Sequence, residues 1–205
     1  MNAGNDQQDI KKEKILEAAY LQFLHYGYSK TTMNEIAGAL SMSKALLYYY
    51  FPDKSHLYIA VTRKLADDYL NTLENKMAHV ANLKQAFVLQ IDSHHEFIVN
   101  NYNFFDFFRL NEQNLPDTIW EIVDTIRQSE MDMLANAINA EAAKGKIKTV
   151  DNPREIVDLL LDALQGVKAG SARYKKNSFP QKEHLDEIHK KRLLLLDIFI
   201  KGLTH

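Results

Sequence analysis

The sequence predicts an all-α protein in two parts, an N-terminal three-helix domain containing a helix-turn-helix and a larger helical domain after it. Three observations predict this. Apolar residues recur at helical spacing through most of the 205 residues, and no stretch alternates convincingly as a strand. Capping residues and Gly or Pro stops divide that periodicity into separate helices. One stretch, Met33 to Phe51 (MNEIAGALSMSKALLYYYF), reads as two short helices joined by a tight turn.

Residues 1–7 are expected to be disordered. A first helix runs from about Gln8 to Tyr26, with Ile15, Ala18, Ala19, Gln22 and Phe23 on one face. Gly27 stops it, because glycine tolerates the left-handed geometry of a C-terminal cap. Thr31 or Thr32 caps the next helix, and Glu35, three residues after Thr32, completes a capping box. Ile36, Ala37 and Leu40 give that helix an apolar stripe. Ser41 and Met42 break the pattern, and Ser43 serves as N-cap of a helix through Lys44, Ala45, Leu46, Leu47 and Tyr48. Pro52 ends it, since the residue before a proline avoids helical geometry.

Two short helices with a turn of this size match the helix-turn-helix that places its second helix in the DNA major groove. Three consecutive residues on a helix span about 200°, so Tyr48, Tyr49 and Tyr50 cannot all be buried. Lysine, tyrosine hydroxyls and small apolar groups suit phosphates, base edges and thymine methyls. The candidate DNA contacts are therefore Thr31, Thr32, Asn34, Ser43, Lys44, Ala45, Leu46, Tyr48, Tyr49, Tyr50 and Lys54.

The pattern Ile15-Leu16-x-Ala18-Ala19-x-x-x-Phe23-x-x-x-Gly27, then Thr31-Thr32-x-x-x-Ile36-Ala37, then Ser43-x-x-x-Leu47-Tyr48-x-Tyr50-Phe51-x-x-Lys54-x-x-Leu57 resembles the TetR family of bacterial transcriptional regulators. It covers about the first 60 residues. The chain departs from the pattern at Ser41, where the family has Gly, and at Ala45-Leu46, where it often has Gly-Thr or Pro-Thr. The resemblance implies a ligand-responsive DNA-binding regulator, most often a repressor, working as a homodimer on a pseudo-palindromic double-stranded operator. It places the boundary between a DNA-binding domain, residues 1–53, and an effector-binding and dimerisation domain, residues 54–205.

The body continues as helices. One runs from Lys54 to about His79, with Leu57, Val61, Leu65, Tyr69 and Leu73 in a near-heptad pattern, and links head to body. Asn82 caps the next, Leu83 to Asn100, which carries Phe87, Ile91, His94, His95 and Ile98. Aromatics fill Tyr102 to Phe108, and the rings in this run are expected to divide between packing a core and lining a cavity for an apolar ligand, with two or three facing the cavity. Asp117, after Leu115-Pro116, caps a long helix ending at Gly145. The candidate effector contacts are Tyr69, Ile91, His94, His95, Tyr102, Phe104, Phe105, Phe108, Trp120, Val123 and Arg127, and the expected effector is small and largely apolar. Pro153 opens another helix, Lys175 to Pro180 form a linker, and a last helix runs from about Gln181 to Gly202. Both final helices are apolar around most of their circumference, which calls for a partner on a second side. A four-helix bundle across a two-fold axis follows, with Leu160, Leu164, Val167, Leu193, Leu196, Phe199 and Ile200 at the dimer interface.

Composition narrows the alternatives. The absence of cysteine excludes disulfides, thiol catalysis and cysteine-ligated zinc. The longest purely aliphatic run, Leu193 to Leu196, is too short to span a membrane, and the polar, acidic N-terminus is no secretory signal, so a cytoplasmic location is expected. Net charge is −2, but residues 1–64 hold eight Lys/Arg against six Asp/Glu, a net of +2 that leaves −4 for the rest. A mildly basic head suits DNA. No phosphate-cradling glycine loop or nucleophile elbow is present, and His95-Glu96 lacks the zincin's second histidine because position 99 is Val. No enzymatic activity, metal or cofactor is expected. An all-helical dimeric adaptor that binds protein is the alternative.

Overall fold

The computed structural model describes residues 3–111, 115–172 and 181–204. Among them no strand forms. The helices are α1 (Ala3–Lys30), α2 (Met33–Ala39), α3 (Lys44–Tyr50), α4 (Lys54–Met77), α5 (Leu83–Asn100), α6 (Asp106–Leu110), α7 (Asp117–Ala143), α8 (Pro153–Ala172) and α9 (Leu185–Thr204), with a 3-10 turn at Lys182–His184. Helix α1 begins at Ala3, inside the segment expected to be disordered. The expected linker at 175–180 lies outside the described residues.

The chain divides into two compact units, and the division is not at residue 53. The first unit takes residues 1–67 together with 101–122, and the second takes 68–100 with 123–205. Helices α4 and α7 each contribute to both. The aromatic run explains the difference. Phe104 and Phe107 pack on Tyr58 with ring centroids 4.6 Å and 4.8 Å away, and Phe23 meets Tyr58 at 5.3 Å. Tyr58 is fully buried, and its hydroxyl donates to the Phe104 carbonyl at 2.8 Å. Phe104 and Phe107 therefore complete the core of the head.

The second unit is built on Phe87, Ile91, Leu134, Ile138, Val157, Leu160, Leu161, Leu164 and Leu196, contributed by α5, α7, α8 and α9.

Candidate functional site

The helix-turn-helix forms as its capping residues require. Thr32 accepts a hydrogen bond from the Glu35 backbone N–H at 3.3 Å, and the Glu35 carboxylate accepts from the Thr32 N–H at 2.8 Å. The Thr32 hydroxyl also donates to that carboxylate at 2.8 Å, and this bond, with the one from the Thr32 N–H, holds the Glu35 carboxyl below its usual range. Ser43 caps α3 through the Leu46 N–H at 3.2 Å. The turn is a Schellman motif: the Met42 N–H reaches the Ala37 carbonyl at 2.9 Å and the Ser41 N–H reaches Gly38 at 3.0 Å. Ser41 takes the left-handed conformation, φ 51°.

Leu47 is fully buried and anchors α3. Around it, Ser43, Lys44, Ala45, Leu46, Tyr48 and Tyr49 are exposed, and Tyr49 most of all at 71%. The Lys44 ammonium lies 5.7 Å from the Tyr48 ring centroid. Tyr50 is half-buried and meets Tyr49 edge-on at 5.4 Å. Thr32 and Asn34 are exposed at the start of α2.

Two candidate DNA contacts have internal work instead. Thr31 is buried, and its hydroxyl donates to the Gly27 carbonyl at 2.8 Å, closing the end of α1. Lys54 donates to the Tyr28 and Thr31 carbonyls at 2.8 Å and 3.0 Å and lies 4.2 Å from the centre of the Tyr28 ring. Its charge ties α4 to the end of α1, a C-terminal position where cations are favoured.

The expected effector pocket is divided. Tyr102, Phe104, Phe105, Phe108 and Trp120 belong to the first unit, whereas Tyr69, Ile91, His94, His95, Val123 and Arg127 belong to the second. Phe104 and Phe105 are buried as head core, and Trp120 is half exposed. Ile91 is packed into the second unit's core and Val123 is exposed. Arg127 pairs with Asp158 and Asp162 of α8 at 2.5 Å and 2.7 Å, joining α7 to α8.

What the second unit does bring together is a polar cluster inside its apolar core. Tyr69 donates to the buried Glu130 carboxylate at 2.5 Å, and Gln90 also hydrogen-bonds to that carboxylate. Burial pushes the Glu130 carboxyl above its ordinary range, and these two bonds oppose the shift. From α9, Arg192 donates through Nε to the Leu164 carbonyl at 3.2 Å and lies 3.2 Å from His94 Nδ1 through Nη1. Since the guanidinium has only donors, His94 Nδ1 is the acceptor and its ring is neutral. Burial, with Arg192, Lys168 and His95 adding to it, lowers the His94 pKa to about 3.

Beside this cluster α5 and α9 exchange contacts reciprocally. His95 Nε2 lies 3.3 Å from Asp186, His189 Nε2 lies 3.2 Å from Asp92, and the two rings stack at 4.2 Å. Gln90, Ser93, Glu130, His189 and Arg192 were not among the sequence candidates. A signal was present: Glu130 falls four residues after Ile126 and four before Leu134, a charged residue in an apolar register.

The expected dimer residues face inward. Leu160, Leu164 and Leu196 are buried in their own unit's core, and Leu193, Phe199 and Ile200 are partly buried against it. Val167 is half-buried. The apolar groups left outside are Leu159 (65% exposed), Leu194 (63%) and Ile198 (62%). The small residues Ala163, Gly166 and Gly170 continue the exposed side of α8.

Among the described residues no group of acidic or histidine side chains could hold a metal, and no helix is long and apolar enough to cross a membrane.

Known proteins share the head. A family profile described as bacterial regulatory proteins, tetR family, matches residues 15–61. The chain is similar to the HTH-type transcriptional regulator RutR of Escherichia coli (strain K12), 38% identical over 85 residues, which is 40% of each chain. It is also similar to the biofilm operon negative transcriptional regulator IcaR of Staphylococcus aureus (strain Newman), 39% identical over 62 residues, 30% of this chain and 33% of IcaR. The chain thus matches about two fifths or less of the length of these curated relatives. A transcriptional regulator from Cytophaga hutchinsonii ATCC 33406 is similar along almost the whole chain, with a TM-score of 0.81 and 25% identity, covering 95% of this chain and 99% of that one. The part of the chain that holds the capped helix-turn-helix, residues 15–61, is thus similar to the bacterial regulatory proteins of the tetR family.

Proposed function

We propose that the chain is a ligand-responsive DNA-binding transcriptional regulator that acts as a homodimer, represses, and leaves its operator when a small molecule binds the second unit. The observation that carries this reading is the exposed face of α3. Leu47 fixes the helix while Lys44, Ala45, Leu46, Tyr48 and Tyr49 stand clear of the protein. A helix fits the major groove, and these groups can meet phosphates, base edges and thymine methyls. The likeness to IcaR, a negative regulator, supports repression.

Two copies joined through the exposed sides of α8 and α9 would bury Leu159, Leu194 and Ile198 in a four-helix interface. Such a dimer would present two α3 helices roughly 34–36 Å apart, one turn of DNA. A ligand releases DNA only if it binds more tightly to the conformation that cannot bind DNA. Helices α4 and α7 contribute residues to both units and are the continuous chain through which such a preference can act. A cytoplasmic site of action follows from this reading.

The test is a mobility shift with the DNA upstream of the chain's own gene, at two salt concentrations. Wild type should bind specifically and lose affinity steeply as salt rises. Lys44→Ala should reduce the salt slope by about 1, and Tyr49→Ala should weaken specific binding by about tenfold. Absence of binding at low salt, both to that DNA and to a random-sequence pool, would overturn the proposal.

A further inference from the structure

The cluster in the second unit contains polar atoms that its own hydrogen bonds do not satisfy. Gln90 is 4% exposed and Ser93 is 8% exposed. The Gln90 amide is bound to Glu130, and a carboxylate can only accept, so the amide nitrogen is the atom used. The Gln90 Oε1 atom is buried with no hydrogen-bond partner, and so is Ser93 Oγ. The two residues are three apart on α5 and share a face. A buried polar atom without a partner costs about 1–3 kcal/mol. Phe87, Ile91, Leu134 and Leu160 fill the same core at no such cost. Gln90 Oε1 can only accept and Ser93 Oγ can do either, so what the pair lacks is a donor.

Across the cluster the complementary group is present. Arg192 uses Nε for Leu164 and Nη1 for His94, and its guanidinium has further N–H groups to offer an acceptor. Charge restricts the guest as well. The buried Glu130 carboxyl and the half-buried Arg192 guanidinium are of opposite charge, and an ionic guest would add a charge without a counterpart, which burial penalises heavily. A hydrocarbon guest would leave Oε1 and Oγ as they are.

We propose that Gln90, Ser93 and Arg192 form the recognition site for a small neutral molecule carrying an N–H or O–H donor beside a carbonyl-type acceptor, as in an amide. The donor meets Gln90 Oε1 and Ser93 Oγ, and the acceptor meets Arg192. The effect of this guest on DNA rests on the regulator reading, while its binding does not.

The experiment uses the full chain and a matched pair of probes. 2-Pyrrolidinone is a cyclic amide with N–H beside C=O, and cyclopentanone has the same ring with CH2 in place of N–H. Each is titrated into isotopically labelled protein and followed by NMR shifts of residues in the cluster. The amide should bind at least about tenfold more tightly than the ketone, the worth of one good hydrogen bond. Gln90→Met and Ser93→Ala should each reduce that preference to about twofold or less. Ser93→Ala should also leave the thermal midpoint unchanged or raised, because it removes an unpartnered hydroxyl; a hydroxyl serving only structure would lower it. Equal binding of the two probes, no binding of either, or a preference retained in both variants would overturn the proposal. A mobility shift on the same samples separates the two readings. Preference for the amide without DNA binding would sink the regulator reading alone, and DNA binding without the preference would sink this one alone.

Discussion

The carboxylate of Asp106 occupies the space that a side chain at Gly27 would need. A Cβ built on Gly27 would lie 2.4 Å from Asp106 Oδ2, and Gly27 holds φ at +78°. The same carboxylate accepts the Tyr28 N–H at 2.8 Å. Gly27 thus does more than kink α1: it admits the start of α6 to the break in that helix. Gly27→Ala should destabilise the protein by about 2–4 kcal/mol, combining backbone strain with a displaced carboxylate. Asp106→Ala should cost about 1–2 kcal/mol by leaving the Tyr28 N–H without its acceptor. Urea unfolding of both variants measures the two effects, and a neutral Gly27→Ala would contradict the account.

Ser41 performs a glycine's task at the turn between α2 and α3, with φ at 51°. The left-handed conformation costs an L-residue about 1 kcal/mol that glycine escapes. Ser41→Gly should therefore raise stability by up to about 1 kcal/mol without weakening DNA binding. Ser41→Val should lower stability, because a β-branched residue fits that region worst. Denaturation midpoints of the pair check the sign of each.

The His94 pKa lies near 3 in the folded chain, well under its ordinary 6.5. The sign follows from linkage: the folded state holds the ring neutral, so the unfolded state takes up protons first as pH falls. Stability from this group is full above pH 6.5 and declines below it, by up to about 1.4 kcal/mol per pH unit until the folded pKa is reached. His189, also lowered by burial, acts in the same direction, and Glu130, raised by burial, acts in the opposite one. His94→Asn keeps an acceptor for Arg192 and removes the titration. Unfolding free energies at pH 7.5 and 5.5 should fall more for wild type than for His94→Asn. Equal slopes would show that His94 is not held neutral.

In the proposed dimer the exposed side of α8 and α9 would separate assembly from folding. Leu159→Glu and Ile198→Glu should give folded monomers by light scattering, since both side chains lie outside their own core. Leu160→Ala should instead destabilise the protomer by about 2–5 kcal/mol, because Leu160 is 1% exposed. A dimer that survives both glutamates would move the interface elsewhere.

The head was legible because its signals are local. Thr32 with Glu35 and Ser43 with Leu46 are bonds within one helical turn, and their residue types announce them. Phe104 stood among the candidate effector contacts, yet its ring packs on Phe23 and Tyr58, far away in sequence, and periodicity does not say which core a ring joins. The same limit applied to α8 and α9. A helix apolar on most sides does not reveal which side meets its own chain, so Leu160, expected at the interface, lies in its own unit's core while Leu159 is left exposed. Lys54 looked like a phosphate contact because an exposed cation next to a recognition helix usually is one; carbonyls at the end of α1 claim it first.

The head is discontinuous in sequence, which bears on how it can be recombined with other chains. A chimera joined after residue 53, following the apparent module, would omit Tyr58 and Phe104, which pack on Phe23, and Phe107, which packs on Tyr58. A functional hybrid would have to carry residues 101–122 along with the head. Here the unit of exchange is two segments of chain, and a single crossover cannot transplant it.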